Sequence, residues 1–449
     1  MTQANRIIVG LGTTGLSCAR YLHSLGESFQ VVDSRLNPPG LAQLQAQFPE
    51  VQISLGEFSA ELLCSASELI VSPGISIQHP AIKAARAAGI AISGDVDIFS
   101  RAVRKPVVAV TGSNGKSTVV TLLAAMARKS GLRVGLGGNL DGAQAAPALD
   151  LLRQDEKDLY VLELSSFQLE TTACLAARAA VILNVSDDHM DRYADKHEYE
   201  AAKQRIFNGA TCAIVNRDEP ASAPWSKEVV IASSFGAGKP EQGQWGVIEQ
   251  NGEFALVLGD ELVLRAQTLK IAGKHNLANA LAALALGQAI NLPRQAMVEA
   301  LQEFPGLPHR CQWQRNLRGV DYFNDSKGTN VGASIVAIES LGEMLKGKLV
   351  LIAGGVDKGA DFSIMAPVVA KFVKLAILIG RDAKNLANAF KDSIEIVFAS
   401  TLVEAVNIAA ERASEGDAVL LSPACASFDM FTDFTHRGRV FESAVEELR

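Results

Sequence analysis

The 449-residue sequence predicts an α/β protein of three modules, and three observations predict it. Short β-branched runs alternate with helix-length intervals from Arg6 onward, a rhythm expected of a parallel sheet with helices on its faces. Two glycine loops each follow such a run and open a helical stretch. Pro305, Gly306 and Pro308 then break the helical pattern, and a new set of strands begins beyond them.

In the first module, residues 6–9, 29–32, 69–71 and 90–92 read as strands. A restart at Lys105 and Pro106 places a boundary near residues 94–105; strand 107–110 and a helix with Val119, Leu122, Leu123 and Met126 on one face follow. Residues 160–163 and 180–183 read as further buried strands, and 245–264 alternates around Asn251-Gly252, a two-residue hairpin signal. The third module carries strands at 320–323, 349–353, 376–379 and 418–421.

Composition narrows the function. With 48% hydrophobic and 20% charged residues, 37 Gly and 15 Pro, the chain sits with globular proteins and outside the disordered and collagenous classes. A net charge of −7 provides no general basic field, so no nucleic-acid partner is expected. The most apolar stretch, 277–290, is too short for a bilayer span, and run 7–11 passes into a glycine loop without a cleavage site. A cytoplasmic location without membrane insertion is the expectation. Six cysteines (18, 64, 174, 212, 311 and 425) have no metal-site spacing and read as reduced core thiols.

Gly10-Leu11-Gly12-Thr13-Thr14-Gly15 follows a strand, and Asp33 ends the next one, as in a dinucleotide fingerprint. Glycines let the backbone approach an anion, and the helix start supplies N–H donors, so any nucleotide diphosphate suits the loop. A tight turn without a ligand is the alternative. Thr111-Gly112-Ser113-Asn114-Gly115-Lys116-Ser117-Thr118 is more specific: Lys116 is placed for β/γ-phosphates and Ser117 or Thr118 for Mg²⁺. Val110 stands where the common phosphate loop has its first Gly, which points to a subclass of ATPases.

Glu163 ends an apolar strand, where a buried carboxylate needs a cation; a solvent-exposed strand end is the alternative. Residues 184–192, Asn-Val-Ser-Asp-Asp-His-Met-Asp-Arg, gather His189 with carboxylates, whereas His197 has no such company and reads as structural. Lys203, by composition, is a solvated helix lysine. In the last third, Pro308-His309-Arg310, residues 324–330 (Asn-Asp-Ser-Lys-Gly-Thr-Asn) and Gly354-Gly355-Val356-Asp357-Lys358 place cations and hydroxyls after strands, where ligands gather. Asp325 before Ser326 also fits a simple helix cap.

Taken together, Thr111–Thr118, the Glu-Leu-Ser-Ser-Phe-Gln-Leu-Glu run at 163–170, residues 184–193, Gly-Lys-His-Asn at 273–276, Pro-His-Arg-Cys-Gln at 308–312 and residues 324–330 resemble the Mur ligases of peptidoglycan synthesis over essentially the whole chain. The amino-terminal loop, Ser72-Pro73-Gly74-Ile75 and residues 421–429 are similar to the branch that adds D-glutamate to UDP-N-acetylmuramoyl-L-alanine. Another Mur-type ligase or folylpolyglutamate synthase is the enzymatic rival; a nicotinamide dehydrogenase and a non-catalytic nucleotide-binding regulator are the others.

The resemblance implies a Rossmann-like UDP-substrate domain at 1–99, a central P-loop ATPase-type domain at 100–305 and a Rossmann-like amino-acid domain at 306–449. It implies UDP-substrate contacts at Thr13, Thr14, Asp33, Ser34, Ser72, Gly74 and Asn139, although residues 140–144 depart from the expected shorter loop. ATP is implied at Gly112, Ser113, Asn114, Gly115, Lys116, Ser117, Thr118, Asn276, Asn279, Arg310, Asp325 and Lys327. Mg²⁺ is implied at Ser117 and Glu163, with a second metal served by His189 and a carbamylated Lys203; Lys116, Glu163, His189 and Lys203 form the implied catalytic set. D-Glutamate contacts are implied at Thr329, Lys358, Ser427 and Phe434, in a monomer whose domains close on binding.

Overall fold

The computed structural model describes residues 5–140, 145–185, 192–250, 253–271, 273–357 and 359–449, with Lys274 described by its backbone alone. His189, Lys358, most of the 140–144 loop, Asn251-Gly252 and residues 186–191 therefore lie outside the described residues. The chain divides into two compact units: Met1–Ile248 with Val257–Val263 and Ala280–Ala300, and Glu249–Leu256 with Leu264–Asn279 and Leu301–Arg449.

The first unit opens on a five-stranded parallel sheet in the order Ile53–Leu55, Phe29–Asp33, Arg6–Val9, Glu68–Val71, Ala91–Ser93. Ile7, Ile8 and Val9 are fully buried, as strands covered by helices on both faces require. Ile53–Leu55, three residues long, is too short to carry a period and escaped the sequence pattern.

A larger sheet follows, ordered Glu261–Arg265, Glu253–Leu258, Trp245–Gln250, Val230–Phe235, Cys212–Asn216, Ala179–Ile182, Val107–Thr111, Leu159–Glu163, Val134–Gly138. From Trp245–Gln250 to Val134–Gly138 every pairing is parallel. Val107–Thr111 and Leu159–Glu163 are buried throughout. The helix Lys116–Lys129 lays Val119, Leu122, Leu123 and Met126, all fully buried, against this core. Each such side chain contributes about 1.5–3 kcal/mol of burial, which anchors the loop that precedes the helix. Val134–Gly138 was missed because three of its five residues are glycine, which reads as turn.

The second unit holds a six-stranded sheet ordered Gln312–Leu317, Val320–Asn324, Ala418–Leu421, Leu349–Gly354, Val373–Ile379, Glu395–Phe398. Only the edge pairing of Gln312–Leu317 is antiparallel. All six cysteines are free thiols. The core-thiol expectation fails at Cys174, which is exposed, and at half-buried Cys64. Among the described residues, no helix is long and apolar enough to cross a membrane.

Candidate active site

Strand Val107–Thr111 delivers the chain into the phosphate loop, and helix Lys116–Lys129 leaves it. Gly112 (φ 152°) and Gly115 (φ 83°) make the turn in a region that L side chains rarely adopt. The N–H groups of the first helical turn lie outside the helix's own hydrogen-bond ladder and so suit an anion. Asn184, which follows strand Ala179–Ile182, clamps the loop from outside. Its carbonyl accepts from Ser113 N–H at 3.0 Å, its Oδ1 accepts from Asn114 N–H at 2.8 Å, and its Nδ2 donates to Asn114 O at 3.1 Å. Sequence reading passed over this asparagine, because nothing local shows that two strand ends meet there.

Parallel pairing places Glu163 level with Val110 on one side and Gly138 on the other. Its side chain is 3% exposed, so the exposed alternative does not hold. Ser117 Oγ donates to Glu163 Oε2 at 2.7 Å, and Asn139 Nδ2 donates to Oε1 at 3.3 Å. Asn139 also donates its backbone N–H to Glu163 O at 2.8 Å, although its side chain is exposed. A buried carboxylate beside a hydroxyl at the mouth of a phosphate loop is a hard-oxygen donor set that fits Mg²⁺. Among the described residues no cluster of three His, Cys, Asp or Glu side chains forms a metal cage. A magnesium ion that takes most of its ligands from phosphate and water needs none.

Lys203 overturns its compositional reading. It lies on helix Lys196–Gln204, which Asp195 caps, but it is 1% exposed. Its Nζ donates to Gly112 O at 3.0 Å and sits 4.4 Å from the Tyr199 ring centroid. The Tyr199 hydroxyl in turn lies 3.1 Å from Ser113 Oγ. Lys116 Nζ folds back to donate to Gly112 O at 2.8 Å and Ser113 O at 2.9 Å. His197 stacks on Trp225, consistent with a structural role.

In the same unit, the amino-terminal glycine loop is organised by Asp33. A Cβ on Gly15 would fall 2.0 Å from Gly10 O, so only glycine permits that close turn. Ser72 Oγ donates to Gly10 O at 2.9 Å. The fully buried Asp33 accepts from Leu11 N–H at 2.6 Å and from Arg35 Nε and Nη2 at 2.8 and 2.7 Å. Burial works to raise the Asp33 pKa, but the Arg35 guanidinium and backbone N–H groups outweigh it and hold the carboxyl below its usual value. Asp33 thus braces the loop and Arg35, while Thr13, Ser34 and Gly74 are exposed and Thr14 and Ser72 partly so. Arg35 was absent from the sequence reading, since an arginine after a strand carries no motif.

In the second unit, Asn276 and Asn279 lie one turn apart on the helix that begins at Lys274, joined by a 3.2 Å hydrogen bond and both buried. Burial lowers the pKa of neighbouring His275 to about 4 and keeps it neutral. Asp325 is buried, accepting from Ser422 Oγ at 2.8 Å and Cys311 N–H at 3.1 Å. Desolvation raises its carboxyl to about 7 against those bonds and the field of Arg310. The helix-cap reading of Asp325 is corrected, because Asn330 caps helix Val331–Gly342 through Ala333 N–H. Arg310 is exposed and Lys327 and Thr329 are half-buried, with Lys327 Nζ 4.1 Å from the Phe434 ring centroid. Ser427 is buried on the loop after strand Ala418–Leu421. His309, also buried, accepts at Nδ1 from Asn324 Nδ2 at 3.0 Å and packs edge-on to Phe434.

These features define a nucleotide-dependent α/β protein with a phosphate loop and a hard-cation donor pair. Residues 4–94 match the family model described as Mur ligase MurD-like, N-terminal domain, residues 110–287 the Mur ligase middle domain, and residues 309–425 the Mur ligase, glutamate ligase domain. The chain belongs to the Mur ligase family. It is 54% identical to the UDP-N-acetylmuramoylalanine--D-glutamate ligase of Pseudomonas aeruginosa over 99% of this chain and 98% of that protein. The ligases of the same name from Pseudomonas syringae pv. tomato and Nitrosococcus oceani are 52% and 51% identical over 99% of this chain and 98% and 97% of theirs. Among solved structures, a pseudomurein peptide ligase type C from Methanothermus fervidus matches with a TM-score of 0.59 at 18% identity, covering 99% of this chain and 100% of that one. UDP-N-acetylmuramate-alanine ligase MurC from Thermotoga maritima matches with a TM-score of 0.59 at 17% identity, covering 99% of each chain. These structural matches speak to the fold.

Proposed function

We propose that this chain is an ATP-dependent amide ligase that adds D-glutamate to UDP-N-acetylmuramoyl-L-alanine in peptidoglycan precursor synthesis. The observation that carries the reading is the near full-length identity to ligases of that name in a chain whose phosphate loop takes Lys116 and Lys203 on the Gly112 carbonyl and Glu163 on the Ser117 hydroxyl. Residues 1–99 hold the UDP substrate, residues 100–305 ATP and residues 306–449 the amino acid.

In this mechanism the alanyl carboxylate oxygen attacks the γ-phosphorus of ATP, the bond to the bridging oxygen breaks, and ADP leaves. The product is an acyl phosphate, a far better electrophile than a carboxylate. The D-glutamate amine attacks the acyl carbon, loses a proton, and inorganic phosphate departs as the amide forms. Lys116 lies on the loop that faces the transferring phosphoryl group and is suited to neutralise its charge. Ser117 and Glu163 would hold one divalent cation and His189 with Lys203 a second; the metal supplies Lewis-acid stabilisation to phosphoryl and acyl oxygens when bound. No protein nucleophile enters the sequence of steps.

Thr13, Thr14, Asp33, Ser34, Ser72, Gly74 and Asn139 are assigned to the UDP substrate. Gly112–Thr118, Asn276, Asn279, Arg310, Asp325 and Lys327 are assigned to ATP, and Thr329, Lys358, Ser427 and Phe434 to D-glutamate. Lys203 acts as its carbamate: CO₂ adds to the neutral amine, a proton leaves to solvent, and the remaining N–H still has Gly112 O to donate to. A carbamate on this lysine would place an oxygen-donor anion beside the phosphate loop, where Lys116 donates to the same carbonyl oxygen. The enzyme works in this reading as a cytoplasmic monomer.

The test is phosphate release from ATP with UDP-N-acetylmuramoyl-L-alanine, comparing D-glutamate with L-glutamate, L-alanine, L-lysine and meso-diaminopimelate. Release that requires D-glutamate supports the reading. Release with another amino acid moves the chain to a different branch of the family, and none with any of them leaves a nucleotide-binding regulator.

A further inference from the structure

Arg437, on helix Phe434–Glu447, is 1% exposed. Among the described residues no carboxylate hydrogen-bonds or ion-pairs with it. Its Nε donates to Ser326 Oγ at 3.0 Å, its Nη2 to Ser326 O at 2.9 Å, and its Nη1 to Cys425 O at 3.2 Å, with Gly354 O at 3.5 Å. Those acceptors stand just past, or at, the carboxyl ends of strands Val320–Asn324, Ala418–Leu421 and Leu349–Gly354, which are adjacent in the sheet. One guanidinium therefore ties together three loops that also meet through backbone bonds, such as Val356 with Ala426 and Ala424 N–H with Gly328 O, and through Ser422 Oγ on Asp325.

The tie extends to the helix itself. Ser326 Oγ accepts from Arg437 and donates to Phe434 O at 2.8 Å, so a single hydroxyl joins the loop to the first turn of that helix. Three described residues assigned above to D-glutamate sit on tethered segments: Thr329 beyond Ser326, Ser427 beyond Cys425, and Phe434 on the helix. A guanidinium is suited to this because its planar fork of donors fixes several acceptors at once.

The charge matters as well as the geometry. Burying a cation without a directly bonded carboxylate is costly, and here oriented carbonyl and hydroxyl dipoles, with the more distant fields of Asp429 and Asp325, offset it. A positive charge is therefore kept behind a site assigned to an amino acid that carries two carboxylates. We infer that Arg437 is a positioning residue that sets the three loops and Phe434 for binding the anionic amino acid, a role that rests on the function proposed above.

The experiment uses the full-length enzyme and measures phosphate release while D-glutamate and ATP are varied in turn, for the wild type, Arg437→Met, Arg437→Lys and Ser326→Ala. Arg437→Met is expected to raise the KM for D-glutamate about 10- to 100-fold while the KM for ATP stays within about twofold. Arg437→Lys, which keeps the charge and loses the fork, should fall between wild type and Arg437→Met, and Ser326→Ala should raise the D-glutamate KM about tenfold. If Arg437→Met does not fold, Arg437→Lys and Ser326→Ala carry the test. An unchanged D-glutamate KM in both, or parallel changes in both KM values, overturns the inference. A wild type without D-glutamate-dependent release overturns the functional reading, and this inference with it.

Discussion

Lys116 and Lys203, 87 residues apart in sequence, donate to the same acceptor, the carbonyl oxygen of Gly112, at 2.8 and 3.0 Å. A carbamate on Lys203 would turn one of these two donors into an oxygen-donor anion beside the phosphate loop. Turnover in CO₂-stripped buffer is therefore expected to fall and to recover on adding bicarbonate. Lys203→Arg, which stays cationic and cannot be carbamylated, should lose on the order of 100-fold in rate. Equal rates with and without bicarbonate would sink the carbamate.

Glu163 is nearly fully buried and, among the described residues, accepts from two neutral side-chain donors, the Ser117 hydroxyl and the Asn139 amide. Glu163→Gln keeps the shape and removes the charge. The Mg²⁺ concentration for half-maximal activity should rise about 10- to 100-fold, while the thermal midpoint without metal stays level or rises as the buried charge is lost. Chelation of Mg²⁺ from the wild type should abolish phosphate release, and re-addition should restore it. A Glu163→Gln enzyme with wild-type metal dependence would contradict the assignment.

Asp33 spends both carboxylate oxygens inside the protein, on Leu11 N–H and on Arg35. Asp33→Ala leaves a buried N–H without its partner and frees the arginine, at a cost of about 1–3 kcal/mol in stability. Its kinetic signature should be a higher KM for the UDP substrate with little change for ATP. Arg35→Ala is expected to raise the same KM and to lower thermal stability as well, because it leaves the buried carboxylate without its cation, on backbone N–H donors; parallel steady-state and melting measurements check both variants.

Asp325 contributes one part of the pH dependence of stability. Burial lifts its pKa from 3.8 to about 7, so between those values the folded protein holds a proton that the unfolded chain has released. Stability from this group is complete below about pH 3.8 and is lost as pH rises towards 7. Over that window the loss amounts to a few kcal/mol. Urea unfolding of the full chain at pH 5, 6 and 7 should show the wild type weakening more steeply than Asp325→Asn, which cannot ionise. Matching slopes would falsify the assignment of the shift to this carboxyl.

Much of the scaffold was legible in the chain. Continuous apolar and β-branched runs marked the central strands, because buried parallel strands need uninterrupted apolar side chains whatever surrounds them. The short edge strands Ile53–Leu55 and Glu395–Phe398 and the glycine-rich Val134–Gly138 were not marked, since their pairing comes from neighbours. The glycine loops were likewise readable, for a turn that passes an anion demands glycine and a helix start in fixed order.

Tertiary structure decided the environment of each functional side chain. Lys203 has the local sequence of a solvated helix lysine, and only the packing of its helix beneath the phosphate loop buries it against Gly112. Asn184, Arg35 and Arg437 have no local signature, because their partners lie on other strands: the Ser113–Asn114 turn, Asp33, and the ends of three strands. The sequence by itself determined where the central strands run and where glycine loops open helices, through local steric and hydrophobic rules. Which charges are buried, and which polar groups meet across strand ends, was decided by the sheet order, since desolvation and hydrogen bonding depend on neighbours in space and not on neighbours in the chain.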